Sequence, residues 1–231
     1  MAEGGGADTE HKDADREPTL GVGNGQLNER LLQRVERAGG GGDRQPKTLY
    51  AKKSFGQNFL VDRNYIDKII QALDPQAGEA IVEIGPGRGA LTEQLVEKAG
   101  RVAAVELDKD LIKPLAEKFA SHENFRLIEA DALTVDFTEL AQIEADGSKL
   151  KLVANLPYYI STAILQKLIE HRAAFSQMIL MFQREVVERI TAAPGDSERG
   201  FLTVLTEAYL NTQKLFDVPP AAFRPAPKTD S

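Results

Sequence analysis

The chain has 231 residues, of which 42% are hydrophobic and 27% are charged, so it is long enough to bury the core of one globular domain. It contains no cysteine and three scattered histidines, which excludes a disulfide scaffold, a cysteine nucleophile and a thiolate metal site and argues against zinc. The net charge of −7 argues weakly against a general nucleic-acid binder, and no apolar run reaches the roughly 18–20 residues that would span a bilayer.

The first predicted segment is a tail over residues 1–48. It holds ten of the 19 glycines and few aromatic or β-branched residues, so it buries too little apolar area to offset the entropy of ordering. We expect this tail to be disordered, with at most a transient helix over residues 27–38. Its acidic start has no apolar core segment and predicts no secretory signal, which, with the absence of cysteine, favours a cytoplasmic protein.

Helical and strand patterns alternate from Tyr50 onward and predict a doubly wound α/β domain over residues 49–218. A helix is expected from its cap at Asp62 to Asp74-Pro75, then a strand over 80–84 and a glycine-rich turn over 85–89. Further elements are expected in this order: a helix ending at Gly100, a strand over 101–107, a helix over 108–120 with Pro114 in or near its first turn, a strand over 125–129, a strand over 150–154, a helix over 161–171, a strand over 177–182, a helix over 184–192, and closing strands over 201–210 and 213–218. This spacing is typical of βαβ units and a parallel sheet covered on both faces.

The last predicted segment, residues 219–231, is a linker. Pro219, Pro220, Pro225 and Pro227 favour an extended connector. A connector in this place suggests a further C-terminal module.

Three consecutive predicted strands end in residues that suit a nucleoside. The 85–89 turn lets the backbone pass close to a ligand, Glu106 can accept both hydroxyls of a ribose, and Asp131 adds a carboxylate at the same sheet edge. Ala90 completes the looser dinucleotide pattern, so the turn alone leaves NAD open. Glu83, placed to pair with an ammonium, and Asp131, placed to accept from an adenine amine, favour S-adenosylmethionine.

A second motif, Asn155-Leu156-Pro157-Tyr158, follows a predicted strand at the same sheet edge. An exocyclic adenine amine is a poor nucleophile because its lone pair is delocalised into the ring. Its methylation needs an acceptor for the amine hydrogens, a rigid carbonyl beside it and an aromatic face. The Asn155 oxygen, the Leu156 carbonyl and the Tyr158 ring supply these three, and Pro157 makes the carbonyl rigid. We predict that these four residues are the catalytic set.

Several further stretches match one known family. They are Phe55-Gly56-Gln57-Asn58-Phe59-Leu60, the 83–89 loop, Val105-Glu106-Leu107-Asp108, Asp131-Ala132, Asn155-Leu156-Pro157-Tyr158, Gln183-Arg184-Glu185-Val186, and Val218-Pro219-Pro220 through Pro227-Lys228. Together they resemble the ribosomal RNA adenine N6-dimethyltransferase family, whose close relatives are the macrolide-resistance rRNA methylases. The resemblance covers the chain from about Lys53 to its end.

The resemblance implies a Rossmann-like class I S-adenosylmethionine-dependent methyltransferase domain. It implies transfer of two methyl groups to each of two adjacent adenines of small-subunit (16S) rRNA, and a C-terminal helical domain that helps grip the rRNA. The implied cofactor contacts are Asn58, Leu60, Gly85, Glu106, Asp131 and Asn155. The segment from Phe55 to Leu60 is expected to fold over the cofactor, while Tyr159 stands where the family often has asparagine.

The expected partner is rRNA in an immature small subunit, bound by a monomer without a metal. Two alternatives stay open at this point. One is a large-subunit rRNA methylase of the macrolide-resistance type, and the other is a non-catalytic rRNA-binding assembly factor that retains the fold. An NAD-dependent oxidoreductase is more distant, because it would leave the Asn-Leu-Pro-Tyr motif without a purpose.

Overall fold

The computed structural model describes residues 57–156 and 160–227, so the predicted tail over 1–48 lies outside the described residues, as do Pro157, Tyr158 and Tyr159. The described elements are β1 (Phe59–Leu60), α1 (Arg63–Leu73), β2 (Ala80–Ile84), α2 (Thr92–Lys98), β3 (Arg101–Glu106), α3 (Lys109–Lys118), β4 (Phe125–Glu129), α4 (Phe137–Glu144), β5 (Leu150–Asn155), α5 (Ser161–Glu170), β6 (Phe175–Met181), α6 (Arg184–Ile190), α7 (Phe201–Tyr209) and β7 (Phe223–Arg224). None of these helices is long and apolar enough to cross a membrane.

Five of the strands form a parallel sheet in the order β4-β3-β2-β5-β6. The order of the strands reverses at β2, which pairs with β3 on one side and with β5 on the other. A reversal of this kind opens a crevice at the carboxyl ends of the strands, where ligands bind in doubly wound sheets. The predicted doubly wound α/β fold is confirmed, and it locates the site.

Helices cover both faces of this sheet. On one face, α1, α2 and α3 bury a first apolar cluster that includes Ile70 and Leu95, and on the other, α4, α5 and α6 bury a second cluster around Phe137. Neighbouring residues of β2 enter different clusters, Ile81 the first and Val82 the second. This division follows from the strand geometry, because successive side chains point to opposite faces.

Aspartates cap the beginnings of two helices, α1 and α3. Asp62 accepts a hydrogen bond from the backbone N–H of Asn64 at 2.9 Å and begins α1, as predicted. Asp108 accepts in the same way from Asp110 at 3.1 Å and begins α3 directly after β3. Each such cap contributes about 1 kcal/mol to its helix.

The first predicted closing strand, over 201–210, is wrong, because these residues form helix α7. Thr203 and Thr206 are fully buried against α6, and the Thr206 hydroxyl donates to the carbonyl of Leu202 at 2.8 Å. Phe201 and Val204 instead are 70% and 57% exposed. The sequence alternates apolar and polar residues here, which resembles a strand. In the structure the inward face of the helix includes threonines, whose hydroxyls donate to backbone carbonyls.

Three further details of the elements concern residues 213–218, Pro114 and α4. Residues 213–218 form no strand, although Val218 is buried. Pro114 is the sixth residue of α3, next to the first turn, where its missing N–H leaves the helix without one internal hydrogen bond. Helix α4 was not predicted, although half of its eight residues are apolar and Phe137 is fully buried.

The segment after Val218 is not an extended connector over its described length. Phe223 and Arg224 form β7, which pairs antiparallel with β1, and Phe223 is 1% exposed. The carbonyl of Ala222 accepts hydrogen bonds from the backbone N–H groups of Val61 and Asp62 at 2.9 and 3.2 Å. An apolar side chain and paired backbone groups outweigh the preference of the neighbouring prolines for an isolated extended chain. This segment therefore packs on the domain.

Candidate active site

A cavity opens at the carboxyl ends of β2, β3 and β5. Most of the predicted site residues within the described part line this cavity: Asn58, Gly85, Glu106, Asp131, Asn155 and Leu156. Residues from five separated stretches of the chain thus converge on one space. The lining contains three carboxylates, of Glu106, Asp108 and Asp131, and no lysine, arginine or histidine among the described residues.

The glycine-rich turn forms the floor of this cavity beside β2. Gly85 and Gly87 have φ angles of 68° and 59°, which only glycine adopts without strain. A side chain at Gly87 would also lie 2.9 Å from the ring of Phe59. The turn therefore needs glycine for its backbone shape and for the close approach of Phe59.

The carboxylate of Glu106 lies at the centre of the site. Its Oε1 accepts from the backbone N–H of Asp108 at 2.8 Å, and its Oε2 lies 3.4 Å from the backbone nitrogen of Gly87. Burial raises the pKa of Glu106 above its ordinary value, and these backbone hydrogen bonds oppose the rise. The two hydrogen bonds hold the carboxylate towards the cavity, where each oxygen has capacity for a further donor.

Asp131 follows β4 at the same edge. Its Oδ1 accepts from the backbone N–H of Leu133 at 2.9 Å and caps the short 3₁₀ helix Ala132–Thr134. This cap fixes the side chain beside Ala130 and Ala132, which also line the cavity. Asp131 therefore presents a second oriented carboxylate, at the end of the strand that neighbours the strand of Glu106.

Asn155 ends β5 on the other side of the glycine turn. Its Nδ2 donates to the backbone carbonyl of Asn58 at 3.2 Å, so Oδ1 is the atom of the amide that can accept from a ligand. Leu156 follows with its side chain buried and its backbone nitrogen 3.4 Å from the carbonyl of Met181. Pro157 and Tyr158 lie outside the described residues, so the predicted catalytic set is placed only as far as Leu156.

A strap formed by residues 57–60 covers one wall of the cavity. Gln57 donates from Nε2 to Oδ2 of Asp108 at 2.8 Å, and β1 holds the other end of the strap against β7. The guanidinium of Arg88 lies 4.6 Å from the ring centre of Phe59. Sequence reasoning did not single out Gln57, Phe59 or Asp108 as lining residues, although the polar pair Gln57-Asn58 within an apolar stretch was a signal.

Two predicted residues occupy other places than expected. Glu83 is 2% exposed, does not line the cavity and accepts a hydrogen bond from the Thr92 hydroxyl, so it is not positioned to pair directly with an ammonium. Leu60 also lies outside the lining, because it pairs with Phe223 and its side chain joins the first apolar cluster. Leu60 thus anchors the strap rather than facing the cavity.

Replacing Gly87 with alanine should weaken ligand binding in this cavity about tenfold, or about 1.4 kcal/mol. The added methyl would push the Phe59 ring and the strap out of place. Gly147→Ala is the matched control, because Gly147 also has a positive φ, 82°, and has no atom within 4 Å of the added carbon. Calorimetric titration with S-adenosylmethionine measures the affinity, and thermal unfolding measures the stability of each variant. Equal affinity in the two variants would contradict the assigned role of the strap.

The sequence is similar to proteins that modify ribosomal RNA. The family model described as ribosomal RNA adenine dimethylase matches residues 48–231. A protein of Xanthomonas axonopodis pv. citri named ribosomal RNA small subunit methyltransferase A is 52% identical over 181 residues, which cover 78% of this chain and 68% of that protein. Its namesake in Xanthomonas oryzae pv. oryzae is 51% identical over the same shares.

Solved structures with the same fold support this similarity. A dimethyladenosine transferase from Plasmodium falciparum is 32% identical with a TM-score of 0.66, over 74% of this chain and 60% of that one. The 23S rRNA methyltransferase ErmE is 30% identical with a TM-score of 0.64, over 75% of this chain and 66% of that one. The chain thus spans about two thirds of the length of the proteins that it matches.

Proposed function

Because the chain belongs to the ribosomal RNA adenine dimethylase family, we propose that it methylates adenines of small-subunit rRNA. Members of this family are adenine dimethyltransferases that use S-adenosylmethionine, and the chain shares their class of enzyme and their cofactor. We favour small-subunit over large-subunit rRNA because the chain is 52% identical to a small subunit methyltransferase. We propose transfer of two methyl groups to the N6 atom of each of two adjacent adenines in 16S rRNA.

The cavity suits a cationic nucleoside. S-adenosylmethionine carries a sulfonium, an ammonium and one carboxylate, so its net charge is positive. The described lining offers three carboxylates and no cationic side chain, which favours this charge and disfavours the pyrophosphate of NAD. We propose that Glu106 accepts from the ribose hydroxyls and Asp131 from the adenine amine, while Gly85 and Asn58 contact the ligand through their backbone.

The target adenine must be unstacked before its amine can reach the cavity. The bound cofactor would supply the electrophilic methyl group of its sulfonium, whose bond to sulfur breaks and leaves the neutral thioether. We propose that Asn155 Oδ1 and the Leu156 carbonyl accept hydrogen bonds from the N–H groups of the amine, which orients its nitrogen for in-line transfer. Tyr158 would hold the base by stacking and stabilise the positive charge that develops on the nitrogen. In this scheme most of the rate acceleration comes from positioning the amine and the methyl group, and the released proton leaves to water.

The proposed substrate is rRNA within an immature small subunit, bound by a monomer in the cytoplasm. The net charge of −7 does not oppose this proposal, because local patches decide RNA binding more than the total charge does. The similarity to ErmE, a 23S rRNA methyltransferase, keeps large-subunit rRNA as the second candidate, at lower identity than the small-subunit relatives.

The test is incubation of the protein with radiolabelled S-adenosylmethionine and immature small subunits, with large-subunit precursors as the parallel substrate. We expect N6,N6-dimethyladenine in the small-subunit rRNA alone, identified by nuclease digestion and mass spectrometry. Label in the large-subunit rRNA would identify the second candidate. Cofactor binding without transfer to either substrate would favour a non-catalytic assembly factor.

A further inference from the structure

A buried hydrogen bond joins the two ends of the glycine turn. Glu83 of β2 and Thr92 of α2 flank the turn and are 2% and 0% exposed. Thr92 Oγ1 donates to Glu83 Oε2 at 2.6 Å. Gly85 and Gly87, which lie between them, line the cavity. The hydrogen bond therefore ties the strand before the turn to the helix after it.

We propose that Glu83 and Thr92 are a positioning pair that holds the glycine turn in its binding shape and supplies a buried negative charge behind it. The inference rests on the proposed function, in which the cavity binds S-adenosylmethionine. Neither residue lines the cavity, so the pair acts through the turn and through its electric field. Ionising a carboxylate as buried as Glu83 costs free energy of folding even when one hydrogen bond is present, so stabilisation of the fold does not by itself explain this residue.

The charged groups that act on Glu83 come from the neighbouring strand and helix. Glu106 of β3 repels its ionised form, and Lys118 of α3 attracts it. Lys118 is itself paired with Glu93 of α2 at 2.6 Å, so its charge is shared. On β5, Lys151 pairs with Glu79 beyond the amino end of β2, away from the turn.

Burial is the main cause that raises the pKa of Glu83 to about 7, while the Thr92 hydrogen bond lowers it. A cation in the cavity favours the ionised carboxylate, so binding of the cationic cofactor releases a proton from Glu83. Affinity for S-adenosylmethionine should therefore rise as the pH increases through about 7 and level off above it. Burial also raises the pKa of Glu106, and Glu106 is present in all the variants below, so the contribution of Glu83 is the difference in pH dependence between the parent and Glu83→Gln.

The test is calorimetric titration of S-adenosylmethionine into the parent protein and three variants across this pH range. Thr92→Val keeps the side-chain shape and removes the donor, so we expect about tenfold weaker binding at neutral pH and a midpoint moved to higher pH. Thr92→Ser restores the hydroxyl and should restore the parental profile. Glu83→Gln resembles the protonated carboxyl, so its affinity should stay near the parent's low-pH value throughout.

A loss of affinity in Thr92→Val that is equal at every pH overturns the proposal, because packing alone would explain it. A parental pH profile in Glu83→Gln also overturns it. If the parent does not bind S-adenosylmethionine at all, the proposed function is overturned as well. If the parent binds it and only the variants depart from expectation, the positioning pair alone is overturned. Urea unfolding without cofactor gives a second measurement: the parent should lose stability as the pH rises from about 4.5 to about 7, and Glu83→Gln should lose less.

Discussion

Replacing Asn155 with alanine should slow methyl transfer about 100-fold or more, by analogy with the loss of one transition-state hydrogen-bonding group. The same change should weaken S-adenosylmethionine binding less than about tenfold. Asn155 Nδ2 donates a hydrogen bond to the carbonyl of Asn58 at 3.2 Å, and we propose that Oδ1 accepts a hydrogen bond from the substrate amine. An interaction realised mainly in the transition state lowers the rate more than it lowers ground-state affinity.

Two further variants make the result for Asn155 specific. Asn155→Asp keeps an acceptor oxygen and loses the donor to Asn58, so it should transfer methyl groups faster than Asn155→Ala does. Asn211→Ala removes an exposed asparagine outside the cavity and should match the parent in both measurements. Single-turnover transfer to immature small subunits at saturating cofactor measures the rate. A parental rate in Asn155→Ala would show that the Asn-Leu-Pro-Tyr motif is only a turn.

The elements that position the site could be predicted because their signals are local. The strand Ala80–Ile84 is a short apolar run, and glycines follow it at once, so both its end and the turn were evident. The strand Phe125–Glu129 has the bounds that the sequence predicts, and Asp131 follows it. Parallel strands meet at one edge, so three local patterns were sufficient to bring Gly85, Glu106 and Asp131 together.

The features that were missed depend on contacts distant in sequence. β1 and β7 are two residues each, and Leu60 pairs with Phe223 more than 160 positions away, a relation that no local pattern indicates. The proline-rich composition around Phe223 favoured an unattached connector instead. Helix α7 was mistaken for a strand because its inward face includes Thr203 and Thr206, which are polar by composition and fully buried in the structure.

The position of Glu83 shows why a strand register can mislead about a site. The residue lies two positions before Gly85, close enough in sequence to suggest contact with a ligand. Strand alternation turns its side chain to the face of the sheet that α2 covers, where Thr92 binds it. Sequence reasoning correctly placed a carboxylate near the turn, but only the packing of α2 decides whether it faces the cavity.

Replacing Glu106 with alanine should weaken S-adenosylmethionine binding about tenfold or more, because it removes a charged acceptor worth roughly 1.5–3 kcal/mol. The side chain also holds the backbone N–H of Asp108 at 2.8 Å, so the variant's thermal unfolding must be measured beside its affinity. Glu106→Gln keeps one acceptor oxygen and should lose less affinity than alanine does.

Glu129→Ala is the matched control for Glu106, because Glu129 is the register partner of Glu106 on β4 and is exposed outside the cavity. Its only ion pair among the described residues is with Lys109 at 3.9 Å, a surface contact of little energy. Loss of a glutamate at the same level of the sheet should therefore leave cofactor affinity at the parental value. Calorimetry with S-adenosylmethionine and with NAD measures both affinity and choice of ligand. Unchanged affinity in Glu106→Ala would contradict the ribose-binding role of Glu106. Tighter binding of NAD than of S-adenosylmethionine by the parent would contradict the cofactor assignment.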